Sequence, residues 1–130
     1  MLILTLRTDK PEAELGLFNG RTKLAYSTWP AHRELAETIH MKIKELLESQ
    51  GRTLKDIEAI AVYKGPGSFT GLRIGISVAN TLADSLGLPI VSTSGKDWTK
   101  RACDDLEKGM NEHIALPEYG APAKTTKPKK

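Results

Sequence analysis

The residues best suited to chemistry in this 130-residue chain form one glycine-rich run, Gly65-Pro66-Gly67-Ser68-Phe69-Thr70-Gly71-Leu72-Arg73. Backbone N–H groups at a helix start attract anions, so the run invites a phosphate-binding reading. Its spacing fits neither specific pattern. No Gly-Lys-Ser/Thr completes a Walker loop, and Thr70 stands where the dinucleotide fingerprint needs its third glycine. A tight strand-to-helix turn accounts for the same glycines. A second set, His32, Glu34, Glu37 and His40, suggests a metal site on one helix. A zinc-protease helix places its histidines four apart, whereas these lie about 12 Å apart along the axis, too far for one ion to bridge. The four therefore read as a solvated helix face. Ser68 has no histidine or aspartate positioned beside it in sequence. Thr93 and Ser94 read as helix caps, and Asp104 and Asp105 as an exposed face. Cys103 is the only cysteine, which excludes an internal disulfide and a cysteine metal cluster, and it reads as a buried thiol. No metal or cofactor site is expected.

The elements that must position these residues follow from periodicity. Residues 57–63 are apolar on both faces and rich in β-branched side chains, which predicts a strand covered on both sides. Gly65, Pro66 and Gly67 break it, Ser68 or Thr70 can cap the next helix, and Gly71 permits close backbone approach. A helix over 70–86 ends at Gly87, with Pro89 just beyond, and 90–93 begins a second strand parallel to the first. Upstream, 3–7, 12–18 and 21–28 predict a three-stranded antiparallel meander with a hairpin at Asn19-Gly20. A helix over 31–50, with Pro30 in its first turn, carries Leu35, Ile39, Ile43 and Leu46 on one face. A third helix over 97–108 is expected to cover a sheet face with Trp98. The fold class is α/β, a mixed five-stranded sheet in the order βββαβαβα.

Helix 70–86 has more apolar surface than a sheet needs. At 100° per residue, Leu72, Ile76, Ala79, Ala83 and Leu86 form one stripe, and Ile74, Val78 and Leu82 form another. Only Arg73, Ser77, Asn80 and Asp84 make a polar strip. The helix is therefore expected to pack on the sheet and on something else, and Gly75 and Ala79 suit close helix approach.

Composition bounds the rest. The chain is 39% hydrophobic and 27% charged, with mean hydropathy −0.33, which suits one small soluble domain. No apolar run reaches the ~20 residues of a membrane helix, and the start resembles no signal peptide, so a cytoplasmic location is expected. The net charge of +3 comes from the end, where Lys124, Lys127, Lys129 and Lys130 stand without an acid. Residues 109–130 lose periodicity and read as an extended, mobile, Pro- and Lys-rich tail after a domain over 1–108.

The run Gly65 to Gly75, followed by Ala79, Leu82, Ala83 and Leu86-Gly-Leu-Pro-Ile-Val, resembles the signature of the TsaB family over roughly residues 1–108. That family implies a half-domain of the actin-like ATPase (ribonuclease-H-like) superfold and a non-catalytic subunit in threonylcarbamoyladenosine formation on tRNA. The implied partner is a TsaD-like catalytic subunit, held through helices 31–50 and 70–86, with a homodimer in its absence and a TsaE-like ATPase in the assembled complex. Contact with tRNA is implied to be indirect. The resemblance puts Leu35, Ile39, Ile43, Leu46, Leu72, Ile74, Gly75, Ile76, Val78, Ala79, Leu82 and Ala83 at the partner interface. It also puts Arg7 before Thr8, where catalytic members of the superfold carry a metal-associated aspartate; a cation there opposes magnesium-nucleotide chemistry. The family's second half-domain is missing, while Leu116-Pro-Glu-Tyr-Gly-Ala-Pro resembles the tail of longer members. Two rival readings are a small nucleotide-dependent enzyme of the same superfold and a free-standing homodimeric scaffold.

Overall fold

The fold grows outward from β1 (Leu2–Arg7), whose Leu2, Leu4 and Leu6 face one core and whose Ile3 faces another. A strand apolar on both sides must be covered on both. In the computed structural model, which describes residues 1–118, β1 pairs antiparallel with β2 (Glu12–Asn19) and parallel with β4 (Ala59–Tyr63). Antiparallel β3 (Thr22–Pro30) and parallel β5 (Ile90–Thr93) complete the mixed sheet, ordered β3-β2-β1-β4-β5. The hairpin loop is Gly20-Arg21, because Asn19 already pairs with Thr22; Gly20, at φ 59°, takes the positive-φ first position.

Among the described residues, three α-helices cover this sheet. On one side α1 (Leu35–Glu48) and α2 (Phe69–Leu86) share a core with Leu4, Leu15 and Ile60. On the other, α3 (Trp98–Glu107) lays Ala102, Cys103 and Leu106 on Ile3, Phe18 and Val91. The α2 boundaries follow the local signals: Ser68 Oγ accepts from the Gly71 N–H at 3.5 Å, and Gly87 closes the helix with φ 67°.

Five expectations need correction. Pro30 does not open a helix; it ends β3, where an edge strand tolerates its missing N–H. Residues His32–Glu34 form a 3₁₀ turn, with His32 at φ 45°, and α1 begins only at Leu35, so His32 and His40 do not share a helix. Trp98 packs edge-on to Tyr63, ring centres 5.8 Å apart, within the α1–α2 core, so the small residues of α3 are the ones that cover the opposite face. Thr93 does not cap α3; its hydroxyl donates to the Trp98 carbonyl at 2.7 Å. Asp104 is not a free surface acid either, because it pairs with Arg21 at 2.5 Å and ties the hairpin to α3.

After α3 the chain turns back as an extended strap along β5. Asn111 Oδ1 accepts from the Ile90 N–H at 3.1 Å, and Glu112 accepts from the Ser92 N–H at 2.8 Å and its hydroxyl at 2.7 Å. These side chains occupy donors that an edge strand leaves open. The strap then crosses α2, where the Asn80 amide donates to the Ala115 carbonyl at 3.0 Å and accepts from its N–H at 2.8 Å. It reaches the glycine turn, where the Glu118 N–H donates to the Lys64 carbonyl at 2.7 Å. The four tail lysines lie outside the described residues. Among the described residues, no helix is long and apolar enough to cross a membrane.

Candidate functional site

The glycine run serves close packing against the end of β1. A Cβ on Gly67 would collide with the Asp9 side chain, one on Gly71 with the Thr8 carbonyl, and one on Gly75 with the Thr8 hydroxyl. Gly71 and Gly75, four apart on one face of α2, and Gly67 in the turn before it together present a bare edge to Thr8-Asp9. Hydrogen bonds fix the contact: Thr8 Oγ1 donates to the Gly71 carbonyl at 2.7 Å, and the Ser68 N–H donates to the Asp9 carbonyl at 3.1 Å. Gly65 has φ 111°, a conformation that side chains resist. Of the remaining turn residues, Pro66 follows a cis peptide bond, and Thr70 lies in the first turn of α2. Phe69 is exposed beside Arg73, whose guanidinium lies 5.2 Å from its ring centre.

Asp9, which no periodicity or motif singles out, is the carboxylate at this junction. It is held by Arg7, whose Nε donates at 2.7 Å and whose Nη2 donates at 3.3 Å. The Asp9 side chain is only 7% exposed. Arg7 also lies 4.0 Å from the Tyr63 ring centre. The bond to Asp9 raises the Arg7 pKa above its ordinary value against the opposing effect of burial. The local result is a closed, neutral ion pair. Among the described residues, no three His, Cys, Asp or Glu side chains come together as a metal site.

The second feature is the face of α1 and α2. Leu35, Ile39, Ile43 and Leu46 of α1, with Leu72, Gly75, Ile76, Ala79 and Ala83 of α2, are buried in the core of this single chain. Ile74, Val78 and Leu82 remain half-buried, so they are the stripe of α2 turned away from the sheet. Ile74 and Val78 line a groove of about 430 Å³ with Ala36, His40, Arg73 and Ser77. Farther along, His40 and Leu82 line a second hollow of about 560 Å³, floored by Ile43 and Leu47 and reached by Leu54. The apolar groove therefore runs along the α1–α2 pair.

The strand order, with one antiparallel meander and two parallel strands, defines a ribonuclease-H-like domain. *Thermus thermophilus* RuvC in complex with a Holliday junction substrate shares that fold, with TM-score 0.53 at 15% identity over 95% of this chain and 84% of that one. A sequence family described as TsaD, tRNA N6-adenosine threonylcarbamoyltransferase, matches residues 30–102. The TsaB protein of *Escherichia coli* K12 is 37% identical over 95 residues, 72% of this chain and 40% of that protein. YeaZ from *Pseudomonas aeruginosa* superposes with TM-score 0.68 at 30% identity, over 83% of this chain and 50% of that one. The chain belongs to the TsaB branch of this threonylcarbamoyladenosine family, and it spans about 40% of the length of the *E. coli* relative.

Proposed function

We propose that the chain is a non-catalytic partner subunit in threonylcarbamoyladenosine formation on tRNA, and that it binds a TsaD-like subunit through the α1–α2 face. The observation that carries this reading is the half-buried stripe Ile74, Val78 and Leu82, set along an apolar groove on a helix whose other stripe already fills the core. Apolar surface of this kind, continuous and rimmed by polar residues, marks contact sites. Family membership supplies the identity of the partner. The Arg7–Asp9 pair supports the non-catalytic part, since the buried Asp9 carboxylate beyond the β1 end already has its cation. On this reading, tRNA and a TsaE-like ATPase are met in the assembled complex, and the transfer chemistry resides in the TsaD-like subunit.

The test is to mix the chain with its TsaD-like subunit and to measure the mass of the product and the modification of tRNA. The reading expects a complex whose transfer activity needs both chains, and none from this chain alone. Transfer of the threonylcarbamoyl group to tRNA by this chain alone would overturn it.

A further inference from the structure

Beyond the outward stripe of α2, the end of α1 and the turn after it build a hollow of their own. Gly51, at φ 65°, reverses the chain past the helix, and the Arg52 N–H donates to the Leu47 carbonyl at 2.9 Å. A single 3₁₀ turn follows, Leu54–Asp56, fixed by a capping box in which the Thr53 N–H donates to the Asp56 carboxylate at 2.8 Å. Leu54 is thereby held at the lip, 42% exposed. Behind it, Ile43 and Leu47 of α1 and Leu82 of α2 make an aliphatic floor, and the space between is about 560 Å³. That volume is in the range of small-molecule sites.

The rim is cationic. Lys44, Arg52 and Lys55 stand at the mouth against one acid, Glu48. Among the described residues none of the three cations forms an ion pair, and the Asp56 carboxylate is engaged by the Thr53 N–H. The mouth therefore carries an excess of positive charge over an apolar interior. Among the described residues no aromatic ring lines the hollow, so a nucleobase would have nothing to stack on.

An aliphatic body with an anionic end satisfies both parts. Its methylenes leave water on the floor, and its head meets the planar fork of Arg52 and the point charges of Lys44 and Lys55. We propose that this hollow binds an aliphatic carboxylate, with the chain against Leu47, Leu54 and Leu82 and the head among Lys44, Arg52 and Lys55. Of the α2 stripe assigned to the TsaD-like subunit, only Leu82 touches the hollow, so the site does not rest on that reading.

The test is a methyl-NMR titration of the full chain with decanoate, octanoate, decyltrimethylammonium and AMP. Decanoate should shift the methyls of Leu47, Leu54 and Leu82 saturably, with Kd on the order of 0.1–1 mM. Octanoate, two methylenes shorter, should bind about tenfold more weakly. Decyltrimethylammonium and AMP should leave the same methyls in place. Lys44→Glu with Lys55→Glu, both exposed, should weaken decanoate about tenfold or more while the thermal melt is unchanged. Val78→Glu, which does not line the hollow, should bind decanoate as the parent does even when it no longer binds the TsaD-like subunit. Methyls that do not move with decanoate, an equal response to decyltrimethylammonium, displacement of decanoate by AMP, or a charge-reversed variant that binds like the parent would each overturn the proposal.

Discussion

Thr8 and Gly75 are in such close contact that the position of any Cβ on residue 75 is already taken by the Thr8 side chain. Gly75→Ala should therefore destabilise the fold by about 1–3 kcal/mol, as overpacking does. In Thr8→Ala with Gly75→Ala, the loss should be smaller than the sum of the single losses, because the two sites share one space. Urea unfolding of the four proteins measures this. A Gly75→Ala variant as stable as the parent would show that α2 can move off β1 freely.

Arg7 and Asp9 form a pair whose members are unequal in exposure, 20% and 7% for the side chains. Removing the cation in Arg7→Met strands a buried carboxylate and should cost about 3 kcal/mol, while Arg7→Met with Asp9→Asn should recover much of that. Equal losses in the single and double variants, read by chemical denaturation, would mean that the ion pair contributes nothing of its own.

Much of this architecture is legible in the sequence because its signals are local. Ser68 directly before α2 and Gly87 directly after it, with Pro89 just beyond, delimit the helix, and apolar runs bounded by turn residues locate β1, β2 and β4. The packing of Gly67, Gly71 and Gly75 on Thr8-Asp9 is not legible, since their spacing does not say which segment meets the bare edge, and that segment lies about sixty residues away. The orientation of α2 was equally hidden. Ile74 and Ile76 are the same residue type about 200° apart, and only the position of the sheet decides that Ile76 is buried and Ile74 half-exposed. Pro30 misled because a proline suits a helix start and an edge-strand end alike.

Burial pushes the Cys103 thiol up to about 11, with the charges of Asp104 and Glu107 adding to the effect and Arg21 opposing it. A folded-state pKa raised above the unfolded value of 9.0 means that this contribution is complete below pH 9 and is lost as pH rises toward 11. The stability of the parent should fall over that window by about 2 kcal/mol more than that of Cys103→Ala. Parallel stability curves for the two proteins would contradict the assignment. At neutral pH the thiol should resist alkylation in the folded protein.

Asn80 holds the strap by a two-way bond to Ala115. Asn80→Ala should remove the protection of the Ala115 amide from hydrogen exchange and cost about 1 kcal/mol in global stability. Unchanged exchange at Ala115 would show that the strap is held by Glu112 and Asn111 alone.

The central claim is that the outward stripe of α2 is the surface that receives the TsaD-like subunit. Isothermal titration of that subunit with the parent, Val78→Glu and Ala79→Glu tests it most directly. Ala79 is fully buried, so its glutamate should unfold the chain, whereas Val78 is half-exposed and its variant should keep the parent's melt. The account predicts that folded Val78→Glu binds the TsaD-like subunit about 100-fold or more weakly than the parent, since the carboxylate is desolvated without a partner. A folded Val78→Glu that binds as tightly as the parent would contradict it.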